Sequence, residues 1–100
     1  MEKTFNYSFN IVFKRCKDAL NELDMNIDNS SLNERYISAS TNGSILSWGE
    51  EIDIKFEKIS LNRTKILVQS QASAQLFSWG KNSGNERAII ETLDEKLKNR

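Results

Sequence analysis

The sequence has no histidine and no proline, one cysteine and four glycines, and its 14 basic residues are balanced by 14 acidic ones. Each shortage removes a class of chemistry. Without imidazole, one chain cannot build a Ser/His/Asp or Cys/His nucleophilic system or a His-ligated metal centre. The single thiol, Cys16, excludes an intramolecular disulfide and any multi-Cys zinc or iron–sulfur site. The balanced charge supplies no general attraction for phosphate, and no block of like charge marks a nucleic-acid tail or a polybasic membrane anchor. No apolar run approaches the roughly 20 residues of a membrane-crossing helix, so no membrane span is expected. The start, Met1 to Tyr7, has neither an apolar core nor a small-residue cleavage site. A cytoplasmic location follows as the expectation, and an unpaired Cys16 suits a reducing compartment.

What is present is enough for one small folded domain. Leu, Ile, Val and Phe make up 26 of the 100 residues, above the level at which disorder is the better reading. A chain this short buries only roughly 60–70% of its unfolded surface, so pairing as a homodimer would add to a small margin.

Periodicity supplies the elements. Phe9, Val12, Phe13, Cys16, Ala19, Leu20 and Leu23 form one apolar stripe at helical spacing over residues 8–23, and the Ser8 hydroxyl is placed to cap it. Phe5 and Tyr7 alternate with polar residues as a short strand before it. After it, Met25 and Ile27 alternate, and Asp28 to Ser31 reads as a turn. Tyr36 to Thr41 is compatible with a strand, and Asn42-Gly43 signals a two-residue hairpin turn that would set Ile37 against Trp48 and Ala39 against Leu46. The same parity turns Ile52, Ile54 and Phe56 inward and Glu51, Asp53, Lys55 and Glu57 toward water. A second hairpin through Ser60-Leu61-Asn62-Arg63 leads to a strand with Ile66 and Val68 inward and Leu67 outward. The last helix is expected from Ser83, with Ser83 and Glu86 at capping-box spacing and Ile89, Ile90, Leu93 and Leu97 as its buried stripe. The pattern predicts an α+β fold in the order β-α-β-β-β-β-α: an antiparallel sheet with two helices packed on one face, a two-layer sandwich.

One feature has the character of a motif. Ser47-Trp48-Gly49-Glu50 and Ser78-Trp79-Gly80-Lys81 repeat a tripeptide 31 residues apart, each after an apolar pair, Ile45-Leu46 and Leu76-Phe77. Trp offers a broad apolar plate with one N–H donor, and the following Gly permits a positive φ or a close backbone approach. The two indoles either close the open end of the core or rim a ligand groove or partner patch. In these segments, with a leading helix and Asn82 before the last one, the chain resembles small, functionally uncharacterised bacterial α+β domains with Ser-Trp-Gly motifs. The resemblance implies a bacterial origin and a compact α+β fold, and carries over no catalytic residue.

Other chemistry is weaker. Cys16, on the apolar stripe, reads as a buried, inert thiol. Glu50, Glu51 and Asp53 are the densest carboxylates, but Glu50 and Glu51 point to opposite faces of a strand, and the set reads as a solvated face. Arg35, Lys55, Arg63 and Lys65 could form a basic patch, yet the outer sheet face has no central aromatic for base stacking, so no nucleic-acid partner is expected. The glycine spacings fit neither phosphate-loop pattern. The expectation is therefore a non-enzymatic binding or interaction module that needs no cofactor and no metal. Its partner would be a protein or a small apolar ligand, contacted at Trp48, Gly49, Glu50, Trp79, Gly80, Lys81 and Asn82. The alternative is a homo-oligomerising structural domain; a carboxylate-dependent hydrolase using Glu50, Glu51 or Asp53 and a weak single-stranded nucleic-acid binder stand behind it.

Overall fold

A computed structural model describes residues 1–41, 49–72 and 84–98. The elements are β1 (Glu2–Phe5), α1 (Phe9–Glu22), β2 (Asn26–Ser31), β3 (Tyr36–Ser40), β4 (Glu50–Ser60), β5 (Arg63–Ala72) and α2 (Gly84–Lys98). They form one five-stranded sheet in the order β1-β5-β4-β3-β2, with every neighbouring pair antiparallel. This is the α+β fold and element order expected from the periodicity. Because β1 and β2 lie at opposite edges, α1 carries the chain across the whole sheet.

The core lies between the sheet and the helices. Ile37, Ala39, Ile52, Ile54, Ile66 and Val68 present one buried sheet face, and Phe9, Val12, Cys16, Leu20, Ile89 and Leu93 pack from the helices. Phe9, Phe13 and Phe56 meet with ring centroids 5.3–5.6 Å apart in tilted and edge-on contacts, which favour the ring quadrupoles. At one end of this core Thr64, wholly buried, donates its hydroxyl to the Tyr7 carbonyl at 3.0 Å. Tyr7 itself lies beyond β1, packed against the core.

The ends of α1 depart from the cap that was expected. Ser8 is the N-cap residue, but its hydroxyl makes no capping bond; its carbonyl accepts from the Val12 amide at 3.0 Å. At the other end Asp24 adopts φ 58°, its amide donates to Asn21 O and the Met25 amide to Leu20 O. That is the paired C-terminal closure usually made with glycine, and buried Met25 seals it with an apolar contact.

Two turns also fall elsewhere. Asp28 to Ser31 belongs to β2, and the chain reverses one step later, where Ser31 Oγ accepts from the Glu34 amide at 3.1 Å and Arg35 takes φ 54°. Backbone pairing to β3 outweighs the weak strand preference of these polar residues, and a register shift between Ile27 and Asn29 absorbs one of them. The Asn42-Gly43 two-residue turn is overturned by register. Ile37 opposes Ile54 and Ala39 opposes Ile52, not Trp48 and Leu46. A tight turn would have carried Ile52 and Ile54 past the start of β3, leaving that stretch without a neighbour on one side. The observed offset is an even number of residues, so every side chain keeps its expected face. β4 consequently starts at Glu50, and Gly49 precedes it.

The β4–β5 hairpin does turn at Leu61-Asn62, with Ser60 opposite Arg63. Leu67 faces outward, half-buried in register with Lys55 and Glu2. No helix among the described residues is long and apolar enough to cross a membrane.

Candidate functional site

Three chain positions beside the Ser-Trp-Gly segments lie together at one end of the sheet. The Thr41 amide donates to Glu50 O at 2.9 Å, and the Glu50 amide returns a bond to Thr41 Oγ1 at 2.8 Å. Glu50 in turn sits opposite Ala72 across the β4–β5 ladder. Thr41, Glu50 and Ala72 thus lie side by side across three adjacent strands. Gly49 and Glu50 are half-buried at this junction. Trp48, Trp79, Gly80, Lys81 and Asn82 lie outside the described residues, as does Ser83 of the expected capping box.

Glu86, in the first turn of α2, ties that helix to the same end of the sheet. Its Oε2 accepts from the Ser70 amide at 2.8 Å and from Ser70 Oγ at 3.2 Å, while Oε1 lies 3.4 Å from the Met1 ammonium. The residue marked by spacing as half of a local cap thus serves a tertiary contact. Its carboxylate satisfies a strand amide that no β-ladder partner reaches on that side.

The outer sheet face carries an aromatic that the alternation reading omitted. Tyr36 lies one residue from inward Ile37 and therefore faces out, in register with Lys55. Its hydroxyl donates to Asp53 Oδ1 at 2.6 Å. That bond to Asp53 raises the phenol above its ordinary pKa, with a hydrogen bond from Ser38 pulling the other way. The parity of β3 already implied this placement; Ile37 and Tyr36 cannot share a face.

The remaining chemical candidates are accounted for by their surroundings. Burial pushes the Cys16 thiol up to about 12, so no nucleophilic thiolate forms near neutral pH. Glu51 and Asp53 share the outer face, opposite Ser40 and Ser38, and Glu50 does not join them. Among the described residues no group of three carboxylates or thiols is placed to hold a metal ion. Lys65 is neutralised between Glu2 and Glu57 at 3.9 and 3.7 Å, which removes it from the basic patch the sequence suggested.

The described surface holds an open groove of about 480 Å³ between the outward flank of α1 and the turn after β2. Phe13 forms its floor, Leu32 its lip, and Lys14 and Lys17 its rim. No protein-family model and no curated protein matches this chain.

Proposed function

We propose that the protein is a small, cytoplasmic, non-enzymatic binding module that receives an apolar group of a protein or small ligand beside its two Ser-Trp-Gly segments. The observation that supports this reading is the junction of Thr41, Glu50 and Ala72, which brings the flanks of both segments to adjacent strands at one end of the sheet. Two indoles carried in the segments between these strand ends could clasp one apolar group, a common way for aromatic anchors to concentrate binding energy. Glu50 and Lys81 would orient polar atoms of the bound molecule. The likeness to small bacterial α+β domains belongs to the same proposal and assigns no residue a further role.

Tryptophan fluorescence tests it. Acrylamide should quench both indoles of the free protein, and anilinonaphthalene sulfonate should bind with energy transfer from them. Trp48→Phe and Trp79→Phe should each weaken dye binding without unfolding the protein. Indoles fully shielded from acrylamide, with no dye bound, would place both in the core and end this reading.

A further inference from the structure

We propose that the tip of the β4–β5 hairpin is a docking wedge for an anionic lipid surface. β1 pairs with β5 only as far as Thr64, and β3 pairs with β4 only as far as Lys55. The tip from Ile59 to Arg63 therefore projects without a strand on either side. It carries Leu61, 77% exposed, at a two-residue turn where small polar residues are the norm. Ile59, 47% exposed, stands next to it because the pairing slips between Lys58 and Ser60 and leaves Ile59 without a partner opposite. Two exposed aliphatic side chains on a tip with no flanking strand suit a yielding apolar medium.

Charge supplies the second half of the argument. Lys58 and Arg63 flank the two aliphatic residues. Arg35 joins them from the neighbouring turn, its guanidinium 5.8 Å from the ring centroid of Phe9, which with Lys58 and Leu61 lines a shallow recess. None of these three cations has an ion-pair partner among the described residues, whereas Lys65 and Lys96 elsewhere are paired. Arg35 also holds its place at φ 54°, a conformation that glycine would take at less cost. Glu34, exposed beside Arg35, and Glu57, next to Lys58 but paired with Lys65, are the acidic residues nearest to these cations in sequence. A chain of zero net charge thus gathers cations around the most exposed leucine among the described residues, although no run of basic residues marks them in sequence. Apolar insertion framed by cations is the combination that holds peripheral proteins on anionic bilayers.

Vesicle flotation with the full chain tests the assignment. The vesicles are phosphatidylcholine alone, or with about one-third phosphatidylglycerol, at about 0.1 M and about 0.5 M salt. The protein should float with the anionic vesicles at low salt, and weakly or not at all with the neutral ones. Ile59→Ser combined with Leu61→Ser should lower partitioning by about tenfold or more. Lys58→Glu combined with Arg63→Glu should lower it by at least about tenfold, since each basic side chain near such a surface is worth about fivefold. All four positions are exposed, so an unchanged thermal midpoint is expected and would separate lost docking from lost folding. Absence of flotation on anionic vesicles overturns the proposal, as does equal binding to neutral ones. Binding unaffected by the serine pair, but displaced by soluble poly-glutamate, overturns it in favour of an acidic protein partner. Because Trp48 and Trp79 are untouched, this outcome is independent of the indole reading.

Discussion

The hydroxyl of Tyr36 and the carboxylate of Asp53 meet at 2.6 Å across β3 and β4, on the face of the sheet turned away from the helices. They sit diagonally in the ladder, since Tyr36 is in register with Lys55 and Asp53 with Ser38. This bond belongs to the phenol form, and it is the main cause of the raised Tyr36 pKa. A raised folded-state value means that the stability it supplies is complete below the ordinary tyrosine range and is lost as pH climbs through the folded value. Tyrosinate absorbance should therefore show Tyr36 ionising above the ordinary tyrosine range, and Asp53→Asn should bring it back toward its ordinary value. Tyr36→Phe should cost only about 0.5–1 kcal/mol, because a partly solvated bond to a charged group is worth far less than a buried one. Early ionisation of Tyr36 in the folded protein would contradict the contact.

Cys16 should be silent to thiol reagents while the protein is folded. Its side chain is wholly buried, and burial pushes the thiol up to about 12 from its ordinary 9.0. The sign is the same as for Tyr36: the contribution is intact below about 9 and falls as pH rises toward about 12. Modification by a chromogenic disulfide reagent should follow the unfolding rate, rising in parallel with added denaturant. Cys16→Ser, which places a polar hydroxyl in the apolar core, should cost about 1–3 kcal/mol in urea titration.

Glu86 joins α2 to β5 through both the amide and the hydroxyl of Ser70. Glu86→Ala should lower stability by about 1–2 kcal/mol, since a half-buried strand amide loses a charged acceptor. Glu86→Gln should recover part of the loss by keeping one carbonyl oxygen in place. Faster amide exchange at Ser70 in the alanine variant is the specific readout, and an unchanged Ser70 rate would mean that the carboxylate does not hold that amide.

Asp24 closes α1 at φ 58°, where a Cβ is a hindrance. Asp24→Gly should raise stability by about 0.5 kcal/mol, the relief of strain being offset in part by the greater freedom of glycine when unfolded. Chemical denaturation decides the sign. Asp24→Val should act in the opposite direction, because a β-branched side chain tolerates this conformation worst.

The buried face was legible in the sequence because side-chain direction follows from local geometry alone. A strand alternates and a helix repeats about every 3.6 residues, whatever they pack against. That is why Ile52, Ile54 and Phe56, Ile66 and Val68, and the stripes of α1 and α2 all lie where alternation and periodicity put them. The same logic indicated the hairpin at Leu61-Asn62 and the inert Cys16. Gly49 and Glu50 were singled out by the motif; the sheet places Glu50 against Thr41 and opposite Ala72, with Gly49 just before the strand.

What only the tertiary structure decided was which distant residues face one another. Local turn preference at Asn42-Gly43 yielded to a register that gives Ile52 and Ile54 a neighbour on both sides. Polar Asn26–Ser31 became an edge strand because β3 offered it backbone partners, and the Glu86 carboxylate meets Ser70 of β5. The same holds for Tyr36 beside Asp53, and for Arg35 reaching Phe9 next to the hairpin tip. Each of these pairings depends on the free energy of closing the whole sheet, a sum over long-range contacts that no window of neighbouring residues contains.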